Sequence, residues 1–370
     1  MYEKTSPRRY HTTRTSGGGT ARSMLLAGAG AYVGWRLLRG DGEDLNGQVV
    51  LVTGGSRGLG LLMAREFASQ GCRIAICARD EVELDRAVAD LRDGGASVFG
   101  VRCDVGVAAE VEDMVYQVRR HFGRIDVLVN NAGVIQVGPV AAMEIEDFQR
   151  AMDVMYWGSL HAILAVLPEM KERGSGRIVN ITSIGGKVAV PHLLPYNAAK
   201  FAHVALSEGL RAELRRFGIL VTTIVPGLMR TGSPVNALFK GQARKEFTWF
   251  ALASATPLTA MSAARAARRI VAATRRGEAE VTLGWQAKLL RLANGIAPGA
   301  MSDLMGVVTA LLPSGTSRAE HRGMHLSTAA APSPLTALMN RAARRNNEFG
   351  GLPRPSRRHA RKLGISTEES

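Results

Sequence analysis

Three cysteines in 370 residues, Cys72, Cys77 and Cys103, are odd in number and do not fall into the pair of Cys pairs that a structural zinc site needs. No disulfide framework and no metal site are expected, and the thiols read as buried groups of a reducing, cytoplasmic compartment. An apolar run of membrane-spanning length, about 20 residues, is also missing from the N-terminal region. The stretch Met24–Trp35 has twelve, lies between Arg22 and Arg36, and is prolonged past Arg36 only by Leu37 and Leu38. Acid is scarce at both ends. Residues 1–40 carry seven basic side chains and one acidic, and residues 314–370 carry ten and four. Residues 41–313 hold only +3 of the net charge of +15. A nucleic-acid groove built into a fold would concentrate the excess in the centre, so nucleic acid is not an expected partner. No internal repeat is present.

What remains divides into four segments. Residues 1–44 form a basic leader whose apolar stretch has several readings: a signal-peptide core, an interfacial anchor giving peripheral membrane contact, a helix packed on the domain, or part of a transit peptide. Residues 45–284 alternate short β-branched runs with stretches of helical period. That pattern predicts an α/β fold, a Rossmann-like, doubly wound, seven-stranded parallel sheet in a single domain. The predicted strands are Val49–Val52, Arg73–Cys77, Ser97–Cys103, Val127–Asn130, Ile178–Thr182, Leu220–Val225 and Glu280–Leu283. Their near-continuous apolar character suits a sheet buried on both faces. Residues 285–312 are apolar and interrupted by Gly295, Pro298, Gly299 and Gly306, which predicts a pair of short helices. Residues 313–370 are rich in Pro, Ser, Arg and Ala and read as a mostly disordered basic tail, with one short helix around Leu335–Asn346.

The first strand runs into Thr53-Gly54-Gly55-Ser56-Arg57-Gly58-Leu59-Gly60 and then a helical stretch. A strand, a glycine turn and a helix start are what a diphosphate needs, because backbone amides and the positive end of the helix dipole face it. At the end of the second strand stand Ala78 and Arg79 in place of an acid that would bond free ribose hydroxyls. Arg57 and Arg79 could instead clamp a 2′-phosphate, so NADP is the expected cofactor, although Asp80 weakens that preference. Tyr196 and Lys200 are spaced i, i+4 at the start of a helical stretch and share one face. A lysine ammonium there would lower the phenol pKa and let it exchange a proton.

The motif T-G-x3-G-x-G resembles the opening of the short-chain dehydrogenase/reductase family, and further motifs follow in the family's order across about Leu45–Leu283. The resemblance implies that Gly54, Ser56, Gly58, Leu59 and Gly60 hold the diphosphate, and that Arg57 stands at the basic position found in NADP-preferring relatives. It also implies that Asp104 and Val105 border the adenine, and that Asn131, Ala132 and Gly133 border the adenosine ribose. Pro226, Gly227 and Thr231 would lie against the nicotinamide, with Lys200 on the nicotinamide ribose. Ser183, thirteen residues before Tyr196, would bond the substrate oxygen. Ser183, Tyr196 and Lys200 thus become the candidate catalytic residues, and homodimers or homotetramers are implied by resemblance alone.

One position departs from the family. Aligning Asp153-Val154-Met155-Tyr156-Trp157-Gly158 with the usual D-V-N-x-x-G puts Met155 where an Asn helps relay protons. A thioether cannot do so. The competing function is therefore a cofactor-sensing binding protein that has lost catalysis. His192 reads as a surface or substrate-lining residue rather than a catalytic one. Phe239, Phe247, Trp249 and Phe250 cluster where the family has its substrate lid, which favours an apolar small-molecule substrate, with a soluble 3-oxoacyl or polyketide-like one as the rival.

Overall fold

The structure, a computed structural model, describes residues 42–256, 260–326, 341 and 343–348. The apolar stretch between residues 24 and 38 and the N-terminal part of the short C-terminal helix fall outside the described residues. Seven parallel strands form one sheet: β1 Val49–Thr53, β2 Arg73–Ala78, β3 Val98–Arg102, β4 Val127–Asn130, β5 Gly176–Ile181, β6 Ile219–Pro226 and β7 Glu280–Leu283. Their spatial order is β3-β2-β1-β4-β5-β6-β7. All seven predicted strands are present. Because side chains alternate across a strand, Val50 and Val52 enter one apolar cluster while Val49 and Leu51 enter the other.

Helices α1 Gly58–Ala68, α2 Glu81–Asp93 and α8 Ala263–Arg276 cover the first cluster. The second is covered by α3 Ala108–Phe122, α5 Gly158–Arg173 and α6 Leu194–Leu214. Helix α4 Ile145–Met152 runs into α5 through a wider π turn, Asp153–Trp157. This continuous helix is, among the described residues, the one long and apolar enough to cross a membrane. Its Ile163, Val166 and Met170 are instead fully buried in the core cluster under the sheet. Helix α7 Ala243–Ala255 seats Phe247 and Phe250 on Phe239 beside the sheet's C-terminal edge.

Beyond β7 come α9 Trp285–Ile296 and α10 Pro298–Ala310. Their Ala287 and Met301 pack on Ile184 and Val188. Trp285, Leu289, Leu292 and Ile296 of α9 stay exposed.

Two parts of the expected disordered tail are ordered, the second overlapping the short helix expected around Leu335–Asn346, of which residues 343–345 are helical. His321–Arg322 pairs antiparallel with Leu238–Phe239, which also pairs with Gln136–Val137, and Glu320 meets Arg150 at 2.8 Å. Residues 343–348 pack against the glycine turn, with Ala343, Asn346 and Glu348 buried. A polar, basic composition predicts poor self-association. It does not report contacts made with a distant, preformed surface.

Candidate active site

The strand order reverses between β1 and β4, and the crevice there opens at the strands' C-terminal ends, where a doubly wound sheet binds ligands. A cavity of about 1000 Å³ occupies it. Every sequence-predicted site residue lines this one cavity, from Gly54 and Arg79 at one side to Ser183, Tyr196, Lys200 and Thr231 at the other.

The glycine turn is shaped by contacts that forbid side chains. A Cβ on Gly60 would stand 2.1 Å from the Gly54 carbonyl oxygen, so only glycine lets α1 start this close to β1. Asn131 fastens the turn from the next strand. Its side-chain amide donates to the Thr53 and Gly54 carbonyls, both at 3.0 Å, while the Thr53 hydroxyl accepts from the Asn131 and Ala132 amides at 3.0 and 3.1 Å. The first-turn amides of a helix have no partner within it. A helix start, absent side chains and a flanking pair of arginines fit a dinucleotide diphosphate and its adenosine end.

Both arginines already have acidic partners. Arg57 meets Glu83 at 2.9 Å, and the Ser56 hydroxyl donates to the other oxygen of the same buried carboxylate. Arg79 stands 3.5 Å from Asp104. Asp104 in turn accepts from the Gly106 amide at 3.0 Å. Glu83 was not among the sequence candidates, since nothing local marks a first-turn helix glutamate as pointing back to the turn.

At the other end, Ser183 follows β5 and its hydroxyl accepts from the Gly185 amide at 3.0 Å. Gly185 and Gly186 allow α6 to approach: a Cβ on Gly186 would lie 2.6 Å from the Lys200 carbonyl oxygen. Tyr196 and Lys200 then reach the cavity from one helix face. Lys200 is 4% exposed, donates to the Ile181 carbonyl at 2.7 Å, and stands 5.9 Å from the Tyr196 ring centre.

The electrostatics differ from the sequence expectation. Burial pushes the Lys200 ammonium down from 10.5 to about 7. Burial also pushes the Tyr196 phenol above its ordinary value, with the Ser183 hydrogen bond pulling the other way. The phenol is thus not lowered by the lysine, because taking both groups out of water disfavours both charged forms. Behind Lys200, buried His203 has no partner on either ring nitrogen, and burial together with Lys200 holds it well below its ordinary value.

Met155 lies in the π turn, fully buried in the apolar cluster and close under Gly133. No polar relay passes through that side chain. His192 is neither at the surface nor in the cavity wall. It is buried with φ +62°, and its Nδ1 meets the fully buried Glu246 at 2.9 Å, tying its loop to α7. Trp249 donates to the same carboxylate at 2.7 Å. Trp249 and Phe250 line the cavity, whereas Phe239 and Phe247 pack behind them.

Residues 48–238 match the short chain dehydrogenase family. The chain is 37% identical over 205 residues to the dehydrogenase/reductase SDR family member 4 of Rattus norvegicus, an alignment spanning 55% of this chain and 73% of that one. A short-chain dehydrogenase from Streptomyces avermitilis superposes with a TM-score of 0.62 at 30% identity, covering 71% of this chain and 98% of the other. A structure of actinorhodin polyketide ketoreductase with NADPH gives 0.57 at 31% identity, covering 64% and 95%. With this sheet order, this glycine turn and these matches, the chain belongs to the short-chain dehydrogenase/reductase family, NAD(P)-dependent oxidoreductases that act on hydroxyl and carbonyl groups.

Proposed function

We propose that the chain is an NADP(H)-dependent oxidoreductase that interconverts a hydroxyl and a carbonyl on an apolar substrate, with Ser183, Tyr196 and Lys200 as its catalytic residues. The observation that carries this reading is the meeting of those three side chains in the cavity that also holds the glycine turn. Bound NADPH supplies the hydride. Tyr196 gives its phenolic proton to the carbonyl oxygen in reduction and takes it back in oxidation. Ser183 donates to that oxygen and stabilises the charge that develops on it. Lys200 anchors the nicotinamide ribose and, when protonated, adds positive charge beneath the phenol. Loss of NADPH absorbance with a panel of apolar ketones tests the activity; binding of NADPH without any turnover would favour the sensing protein, for which the apolar burial of Met155 is the one supporting observation.

The choice of NADP rests on Arg57 and Arg79, which line the cavity and remain half-exposed despite their acidic partners. A charge-assisted hydrogen bond is worth roughly 1.5–3 kcal/mol, and sharing with Glu83 and Asp104 places the expected loss at the lower end. Arg57→Ala and Arg79→Ala should each weaken NADPH binding by about tenfold and leave NADH unchanged. Equal loss for both dinucleotides would contradict the assignment.

An apolar substrate is supported by Val190, Leu193, Trp249, Phe250, Leu290 and Met305 in the cavity wall. We further propose a lipid surface as its source, since the exposed side chains of α9 adjoin that wall and the chain's net charge of +15 suits anionic headgroups. The intact chain is expected to co-sediment with vesicles containing anionic lipid. A Leu289→Asp, Ile296→Asp variant should remain in the supernatant; equal co-sedimentation of both proteins would remove α9 as the contact, and an intact chain that stays in the supernatant would remove the lipid source.

A further inference from the structure

The start of α1 carries an occupant supplied by the chain itself. Residues 343–348 cross the glycine turn, where the Gly58 amide donates to the Asn346 carbonyl at 2.9 Å. Asn347 donates to the Ser56 and Glu83 carbonyls, both at 2.9 Å, and accepts from Arg86 at 2.9 Å. Arg65 bonds the Arg345 carbonyl at 3.2 Å. Asn347 has φ +57°, a left-handed conformation that asparagine tolerates better than most residues. The chain turns there and directs Glu348 into the cavity wall.

Glu348 is 2% exposed and wedged between the glycine turn and the segment after β6. Its carboxyl oxygens lie so close to Gly58 and Gly232 that a Cβ would stand 3.3 Å from Oε1 at the former and 2.4 Å from Oε2 at the latter. The Asn236 side chain donates to the Glu348 carbonyl at 2.9 Å. Oε1 is buried with no hydrogen-bond partner. Burial, aided by Glu83, raises the carboxyl to about 7 against the pull of the Gly232 amide and Arg57. A buried acid with an unfilled oxygen beside a helix N-terminus stands where that terminus would otherwise meet a phosphate.

We propose that residues 343–348 are a displaceable internal competitor for the dinucleotide diphosphate, with the Glu348 carboxyl as the group that the phosphates replace. The inference rests on the dinucleotide reading of the cavity. Two exclusions make the occupants alternatives. The single Gly58 N–H already serves Asn346, and the Glu348 carboxyl fills the space beside Gly58 where a phosphate would stand, adding like charge there whenever it is ionised.

NADPH titration of the full-length chain by fluorescence, alongside Glu348→Gln, Glu348→Ala and Asn347→Ala, tests the competition. Each variant should bind NADPH about tenfold more tightly, whereas adenosine 2′-monophosphate, which lacks the diphosphate, should bind all four proteins alike. Amide hydrogen exchange in 343–348 of the unsubstituted chain should accelerate when NADPH saturates it. Unchanged or weaker NADPH binding by the variants, or slower exchange on saturation, would overturn the competitor and make the segment a strap over bound cofactor. If none of the four proteins binds NADPH or NADH, the dinucleotide reading is overturned and this inference with it.

Discussion

Tyr196→Phe is expected to lower turnover roughly 10²–10⁴-fold, the range a positioned acid–base group contributes, while NADPH binding is unchanged. Phenylalanine keeps the ring that packs against two apolar clusters, so the fold and the cavity wall survive. What disappears is the phenol oxygen, with its proton and its bond to Ser183. The pH dependence follows from the upward shift of this phenol. Below its raised pKa the group is a neutral acid, the form that reduction needs. Carbonyl reduction by the unsubstituted enzyme should therefore hold its rate through neutral and mildly alkaline pH. Alcohol oxidation needs the phenolate and should climb as pH rises toward and past the phenol's ordinary value. Steady-state rates in both directions, measured on the unsubstituted protein and on Tyr196→Phe, check both statements together, and a variant that retains most of its turnover would remove Tyr196 from the mechanism.

Lys200→Met is expected to abolish activity and raise stability at neutral and acid pH. A buried ammonium whose pKa falls from 10.5 to about 7 opposes folding wherever the unfolded lysine is protonated and the folded one resists it. Because the folded value is the lower one, the cost is complete below about pH 7. It is relieved as pH rises from there toward 10.5, where neither state is charged. At about 1.4 kcal/mol per unit the shift amounts to roughly 5 kcal/mol as an upper figure. Losing the hydrogen bond to the Ile181 carbonyl returns about 1–3 kcal/mol of that. A net gain on the order of 2 kcal/mol at pH 6 is expected, shrinking as pH approaches 10. Urea melts at several pH values read this directly, and a variant less stable at pH 6 would show that the lysine's contacts outweigh its desolvation.

Much of the site was legible because its signals are local. A strand ending in Thr53-Gly54, a glycine at position 60 and the i, i+4 pair at 196 and 200 each announce a backbone geometry within a few residues. The seven β-branched runs did the same for the sheet, whose helices follow from its burial on both faces. Features that depend on distant partners were not legible. Glu348 lies 290 positions from Gly58 in a basic, proline-rich tail, and nothing in its neighbourhood marks it as buried. Glu83 reads as an ordinary first-turn helix acid until the fold sets it against Ser56 and Arg57. His192 looked superficial because its partner, Glu246, is 54 residues away. The lowered lysine could not be foreseen either, since desolvation depends on how completely α6 closes over the site.

Catalysis as proposed requires one substrate oxygen to sit between the Ser183 hydroxyl and the Tyr196 phenol while the dinucleotide lies along the glycine turn. A crystal structure of the ternary complex with NADP⁺ and an apolar alcohol measures this. The alcohol oxygen is expected within about 2.6–3.2 Å of both side-chain oxygens, with the nicotinamide ring beside them and the phosphates against Gly58 and Leu59. An alcohol bound with its oxygen turned away from Tyr196, or a nicotinamide directed toward Arg79, would contradict it.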